Sequence, residues 1–333
     1  MSDQAFDEKT VMPDEAAFQA VRSAIGDYND ARPGLERAMH WRLTLIMGIY
    51  TVLAVVAFFA LVSEIGWGDG LGAVIAILFG IGWGLYNLCM KPVWDFQQNL
   101  RNRMLPLIFG FVDEMRYSKG LKPRFMEKFP KPALLKYGVA EHDDAISGQH
   151  DGMHFMLSEA ELKTGGKNKT TLFDGVIFHF YLDHPFPGIL AAAKRPTGFQ
   201  KFAQELFGTG DLRIIDSGDP MIDGTHEFRT DNTTAARPLI EGPLVKALDY
   251  LSSVWRDDVV RIALSNHECF LLVPTKKNFF ELPAIAHDID FDRHVAPMIR
   301  DLVTLLVTAR LVSRIGVEKT ADATAGVGEA GPR

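Results

Sequence analysis

The sequence predicts an α+β protein: a transmembrane helical hairpin, then a cytoplasmic domain with an antiparallel sheet and flanking helices. Three observations carry this. Two uncharged apolar runs, LTLIMGIYTVLAVVAFFALV (Leu43–Val62) and LGAVIAILFGIGWGLYNLCM (Leu71–Met90), are joined by the short connector SEIGWGDG. From Asp151 onward apolar residues alternate with a period of two, the pattern of strands with one buried face. Two later stretches instead space their apolar residues three or four apart, the pattern of amphipathic helices.

Each apolar run is long enough to cross a hydrocarbon core, which takes about 20 helical residues. Arg32, Arg37 and Arg42 precede the first run and Lys91, Arg101 and Arg103 follow the second, whereas the connector has no Lys or Arg. Cytoplasmic flanks carry the Lys/Arg excess, so both termini are expected inside the cell, with the connector outside. A buried hairpin of a soluble protein would not need two uncharged spans of full membrane length. A cleaved signal peptide would start earlier and would not be followed at once by a second run.

The chain has 333 residues, a formal net charge of −7 and no long basic stripe, so a nucleic-acid partner is not expected. Its two cysteines, Cys89 and Cys269, give neither a disulfide framework nor a zinc spacing. The first 40 residues form an acidic arm, with eight Asp/Glu against three Lys/Arg through Glu36. Phe18, Val21, Ile25 and Tyr28 share one helical face there, and Pro33 is expected to interrupt the helix. An acid-rich polar face does not suit a helix lying on lipid, so this one is read as packing on protein or as a loosely held arm.

Residues 41–91 make up the hairpin. Gly80 and Gly84 form a small-xxx-small pair for helix packing, within the hairpin or against a second copy. Residues 92–150 are read as juxtamembrane stalk helices and a basic loop. Val93, Phe96, Leu100, Met104, Ile108, Phe111 and Met115 line one helical face, and Pro106 should kink that helix or start a new one. The run Arg116–Lys136 holds seven Lys/Arg against the single Glu127. Arg116, Lys119, Lys122, Arg124, Lys128 and Lys131 are therefore candidates for docking anionic lipid headgroups, each contributing on the order of 1 kcal/mol near such a surface. The bland alternative is a solvated face that follows the positive-inside bias.

The α+β domain is placed at residues 151–315. GMHFMLSEAELKT and KTTLFDGVIFHFYLD read as strands around a turn at Gly165–Lys169, followed by strands at LRIID (Leu212–Asp216) and THEFRT (Thr225–Thr230). VVRIALSN and ECFLLVPT read as a hairpin turning at Asn266–His267. Helices are expected at Pro243–Trp255 and from Asp290 to about Ile315, where Pro297 bends the helix or marks its start. A pleckstrin-like barrel closed by the C-terminal helix is one version of this class, and a helix at Pro243–Trp255 between strands argues against it. Residues 318–333 lack large apolar residues apart from Val327, and the tail at 316–333 is expected to be disordered.

Chemistry is sparse. His142, Asp143 and Asp144, with His150, Asp151 and His154, read as a polar loop of metal-ligand types, but no HExxH or comparable helical pairing occurs, so no metal is expected. GGKNKT (Gly165–Thr170) resembles a phosphate loop but has Glu161 in place of its first Gly and Asn168 after the Lys. There is no GxSxG elbow. His179 stands between Phe178 and Phe180 as a strand residue with its polar atoms satisfied, Asp183 and His184 follow the strand without a third group to orient them, and His226 and Glu227 give no clearer signal.

FDGVIFHFYLDHPFPG (Phe173–Gly188), HEFRTDNTTAARPLIEGPLVKALDYL (His226–Leu251), VRIALSNHECFLLVPT (Val260–Thr275) and FFELP (Phe279–Pro283) follow one another in a recognisable order. They resemble the bacterial two-span membrane proteins of the domain-of-unknown-function family thirty-one thirty-seven, over residues about 40 to 315. The resemblance implies an N-terminal pair of spans, a cytoplasmic domain and a bacterial inner-membrane location, and it transfers no catalytic residue. Two departures stand out: AARP (Ala235–Pro238) replaces an EARY-like run, and Gly242-Pro243 replaces Thr-Pro at a helix start, where Gly is still an acceptable N-cap.

The function expected from these readings is non-catalytic, a membrane-tethered binding or scaffolding module at the cytoplasmic face. Its partners would be the lipid bilayer, anionic headgroups, and a protein or a second copy of the chain, with no cofactor. The alternative is a membrane-anchored hydrolase, metal-dependent or acid/base, using the His/Asp-rich loop at 142–154 or Asp183 and His184. Transport is disfavoured, since neither span carries an ionisable residue.

Overall fold

The computed structural model describes residues 8–65, 70–196 and 212–313. The tail at 316–333, part of the connector between the apolar runs, and the stretch just before LRIID lie outside these residues. The chain divides into two compact units. One comprises residues 15–108 with 282–296, and the other comprises residues 1–14, 109–281 and 297–333.

The first unit is helical. Helix α1 spans Glu15–Ile65 and helix α2 spans Leu71–Ile108. Both are long and apolar enough to cross a membrane, and only 6% of the most apolar window of each is buried. The acidic arm is the start of α1. Val21, Ile25 and Tyr28 are buried, and Tyr28 stacks on Phe96 with ring centres 5.8 Å apart. The Asn29 side chain donates to the carbonyl of Ile289 at 2.9 Å and accepts from the amide of the same residue at 2.9 Å. Arg32 adds bonds to the Ile285 carbonyl at 3.1 Å and to Asp288 at 2.5 Å. This helix packs on protein, as its acid-rich face suggested.

Pro33 does not interrupt it. A proline removes one backbone bond and crowds the preceding turn, yet α1 runs through Pro33, and α2 runs through Pro92 and ends two residues after Pro106. The glycine reading also changes. Gly82, lying between Gly80 and Gly84, meets the Tyr50 ring, with a built Cβ 2.9 Å from it, and the Tyr50 hydroxyl donates to the Leu78 carbonyl. A Cβ at Gly80 or Gly84 would meet nothing within 4 Å, so that pair does not carry packing inside the hairpin.

The second unit is built on an open antiparallel sheet of seven strands: β1 Asp113–Lys119, β2 Val139–His150, β3 Met153–Lys163, β4 Thr171–Lys194, β5 Arg213–Ile215, β6 His226–Thr230 and β7 Arg261–Pro274. The order is β1-β2-β3-β4-β6-β5, with β7 also paired to β4. Among the described residues, strands β1 and β5 each pair on one side only, which leaves the sheet open rather than closed as a pleckstrin-like barrel. Strands β1 and β2 occupy sequence that reads as stalk and loop. Their exposed polar residues mask the period, and the β2 register shifts between His142 and Ala145.

The centre of the sheet is the β4–β7 ribbon. The first half of β4 lies between β3 and β7, and its second half between β7 and β6. Asn266 takes a left-handed φ of 51°, which Asn tolerates, and this produces an irregularity opposite Phe186 rather than a reversal. VVRIALSN and ECFLLVPT are therefore one strand and not a hairpin. Gly175 is held at φ 153° where β4 meets β7, and a Cβ there would stand 2.2 Å from the Val273 carbonyl oxygen.

Helices α3 Pro220–Thr225, α4 Thr233–Ile240, α5 Pro243–Val254 and α6 Ala296–Ser313 complete this unit. Asp219 caps α3 by accepting from Met221 and Ile222, Asn232 caps α4 through Ala235, and Gly242 with Pro243 starts α5. A π-helical turn at Phe291–Val295 precedes α6, so Pro297 stands in its first turn. Near the N-terminus, Glu8 accepts from the Tyr250 hydroxyl of α5 at 2.6 Å and from Thr304 of α6 at 3.1 Å.

Gly175→Ala is expected to destabilise the sheet unit by about 2 kcal/mol or more, because backbone faces the new methyl group and the φ is strained. Chemical denaturation would check this, and an unchanged midpoint would show that the ribbon tolerates a side chain there.

Candidate functional site

Two clefts open on opposite faces of the sheet. Directly paired residues of antiparallel strands share a face, so Met156 and His179 lie on one face and Glu159 with Val176 on the other.

The first cleft, of about 410 Å3, is acidic. Glu159 of β3 and Asp143 of the irregular part of β2 line it, and Asp144 is buried beside them without lining it. One carboxylate oxygen from each of the three lies within 4.8 Å of the others, close enough to hold a divalent cation. Asp144 is fully buried and accepts from the Tyr117 hydroxyl at 2.5 Å, while Asp143 faces Lys119 at 3.6 Å. Oε1 of Glu159 accepts from the amides of Phe279 and Phe280, the latter at 3.3 Å. Burial pushes the Glu159 carboxyl up to about 7, helped by the Asp144 and Asp143 charges and opposed by the two amides.

The second cleft, of about 470 Å3, has a more apolar lining. His179 lies at its floor with its side chain 5% exposed, and Nε2 bonds a Glu268 oxygen. Lys128 pairs with the other oxygen of that carboxylate. The His179 ring stacks on Phe125 at 4.9 Å, with the planes 6° apart, and lies 5.1 Å from Phe270. Burial lowers the His179 pKa, against the raising effect of Glu268. Burial alone would raise Glu268, but the bonds from Lys128 and His179 outweigh it and hold the carboxyl below its ordinary value.

The basic run is part of this architecture. Phe125, Met126, Phe129, Ala133 and Leu134 pack into the core of the sheet face that carries His179. Of its cations, Lys119 pairs with Asp143, Lys128 with Glu268, and Lys131 lies 4.1 Å over the Tyr137 ring. Arg116, Lys122 and Arg124 are exposed and make no ion pair among the described residues.

The His/Asp-rich segment is not a loop but a β-hairpin, β2 and β3, and the hairpin separates its members. His142 and Asp143 line the acidic cleft and Asp144 is buried beside them, whereas His150 lies at the hairpin end with Nδ1 3.3 Å from the Phe111 carbonyl, and Asp151 pairs with Arg310. Asp183 and His184 are exposed on β4. His226 is buried and satisfied by the Val260 carbonyl at 2.8 Å and Thr225 at 2.9 Å, and Glu227 pairs with Arg229 at 2.7 Å. Cys89 and Cys269 are buried and unpaired.

Sequence reasoning missed Glu159 and Glu268. Each carries one readable signal, a glutamate within a strand at a position where the alternation calls for an apolar residue.

No family model matches the chain, and no curated protein does. Among solved structures it is similar to the crystal structure of the mycobacterial trehalose monomycolate transport factor A. The TM-score is 0.34 at 10% identity, over 58% of this chain and 88% of that one. A likeness this distant says nothing about the function of this chain.

Because the folded pKa of Glu159 lies above its unfolded value, its protonated form favours the fold. Stability is full below about pH 4.5 and falls as pH rises through about 7. Glu159→Gln keeps an acceptor oxygen and cannot ionise. It is expected to be more stable than wild type at pH 8 by up to about 3 kcal/mol, with the gap nearly closed at about pH 4. Urea midpoints at both pH values check the sign, and a less stable variant at pH 8 would contradict it.

Proposed function

We propose that the chain is an integral protein of the bacterial inner membrane, with both termini cytoplasmic, whose sheet unit is a non-catalytic binding or scaffolding module. One observation carries the membrane reading. The apolar windows of α1 and α2 are 6% buried, and Phe59 and Phe79 stand 63% and 72% exposed. Core helices of a soluble protein bury such residues, whereas lipid is the medium in which leaving them uncovered costs nothing. The Lys/Arg bias of the flanks supports the orientation, and the resemblance to the two-span family belongs to the same reading.

In cells, a version lacking native cysteines is expected to resist alkaline extraction from membranes. With Ser63→Cys it should react with a membrane-impermeant maleimide from outside, and with Ser253→Cys only after permeabilisation. Recovery in the soluble fraction would remove the membrane reading, and the reverse labelling would invert the topology.

Headgroup docking, in this reading, falls to Arg116, Lys122 and Arg124, candidates that are exposed and make neither an ion pair nor a ring contact among the described residues. In full-length proteoliposomes, amides of residues 121–130 should exchange several-fold more slowly with anionic than with neutral lipid. Equal exchange would rule the docking out.

A hydrolase is the second reading. It is favoured by Glu159, a carboxyl that titrates near neutrality beside Asp143 and Asp144 in a cleft, as acid–base or metal-assisted chemistry requires. Loss of a measured hydrolytic activity in Glu159→Gln, with the fold retained, would promote it above the binding reading.

A further inference from the structure

We propose that the cleft floored by His179 is a binding site for a small uncharged aromatic molecule that carries a hydroxyl donor. The inference stands on the sheet unit and does not depend on the membrane reading.

The tautomer follows from the carboxylate. Glu268 is ionised and can only accept, so the proton between it and His179 sits on Nε2. Lys128 holds the second carboxylate oxygen and so fixes the orienting group in turn. In the neutral ring, Nδ1 then carries a lone pair, and it makes no hydrogen bond among the described residues. The side chain is 5% exposed and lines the cleft, and Nδ1 is not sealed from solvent, so the cleft is where this acceptor is reached. A ligand hydroxyl would donate to it in place of water.

The walls define the rest of the occupant. Phe125 and Tyr181 offer aromatic surface, and Met156 offers an adaptable thioether that makes favourable contacts with rings. The charged residues of the lining are Arg124, Lys128, Glu127 and Glu268, two of each sign, so the cleft has no net charge with which to attract an ion. That balance favours a neutral ligand over an anionic headgroup. The volume, about 470 Å3, falls within the range of small-molecule sites, roughly 300–1,000 Å3.

The test titrates full-length protein in mild detergent with 4-hydroxybenzamide, following the ring nitrogens of 15N-labelled histidine. Before addition, the His179 signals should be those of the neutral Nε2–H tautomer at pH 7. On addition, its Nδ1 signal should shift saturably. His179→Phe keeps a ring against Phe125 and removes the acceptor, and it should weaken binding at least tenfold by equilibrium dialysis. Met156→Trp fills the cleft beside His179 while keeping both the acceptor and its bond to Glu268, and it should abolish binding while the His179 signals persist. The absence of saturable binding up to about 10 mM, or equal binding by His179→Phe and wild type, would overturn the proposal.

Discussion

The pairing of β4 with β7 is the constraint on which the sheet unit depends. Strand β4 is 24 residues long and pairs with β7 on both sides of its central irregularity, taking β3 as its other partner early and β6 late. A slip of one residue would move every side chain of a strand to the opposite face. Two local features hold the register: Gly175, where only a residue without Cβ fits against the Val273 carbonyl, and Asn266, which absorbs the irregularity in a left-handed conformation. Both clefts inherit their geometry from this ribbon, since β3 aligns on it and places Met156 beside His179 and Glu159 beside Val176.

The two faces handle buried charge in opposite ways. On the His179 face, Lys128 and the histidine neutralise Glu268, and the aromatic rings of Phe125 and Phe270 seal the pair. Desolvation there is offset by partners, so the carboxyl stays ionised and the imidazole neutral. On the other face, Glu159 has two backbone amides but also two carboxylates nearby, and desolvation prevails. The chemistry that each cleft can support follows from that balance. One presents a fixed neutral acceptor, and the other a carboxyl that changes charge near neutral pH.

The basic run shows why composition alone misleads about a surface. Its cations read as a set for contact with lipid, but three of them are engaged within the protein, and Phe125 and Phe129 of the same run are buried in the sheet core. What remains for an external partner is a smaller set, Arg116, Lys122, Arg124 and Lys136. The glycines of α2 teach the same lesson. Spacing singled out Gly80 and Gly84, whereas the contact with α1 falls on Gly82, because helix rotation decides which residue of a small cluster faces the neighbour.

Features that depend on local pattern are legible in the amino-acid sequence. Uncharged length marked α1 and α2, strict alternation marked β3 and the first half of β4, and Pro243 with its apolar stripe marked α5. In β3, β4 and α5 the residues that create the signal also bury the corresponding face, whereas the apolar windows of α1 and α2 stay uncovered. Only the tertiary structure decided the rest. Strands β1 and β2 gain their hydrogen bonds from partners elsewhere, so their exposed polar residues conceal them, and β7 stays one strand because β4 pairs along both of its halves. The partners in each cleft are likewise far apart in the chain. Lys128 and His179 meet Glu268 across separations of 140 and 89 residues, and Glu159 meets Phe279 across 120. No spacing rule connects such residues. Strand register brings His179 to Glu268, and the packing of the segments between strands brings the others.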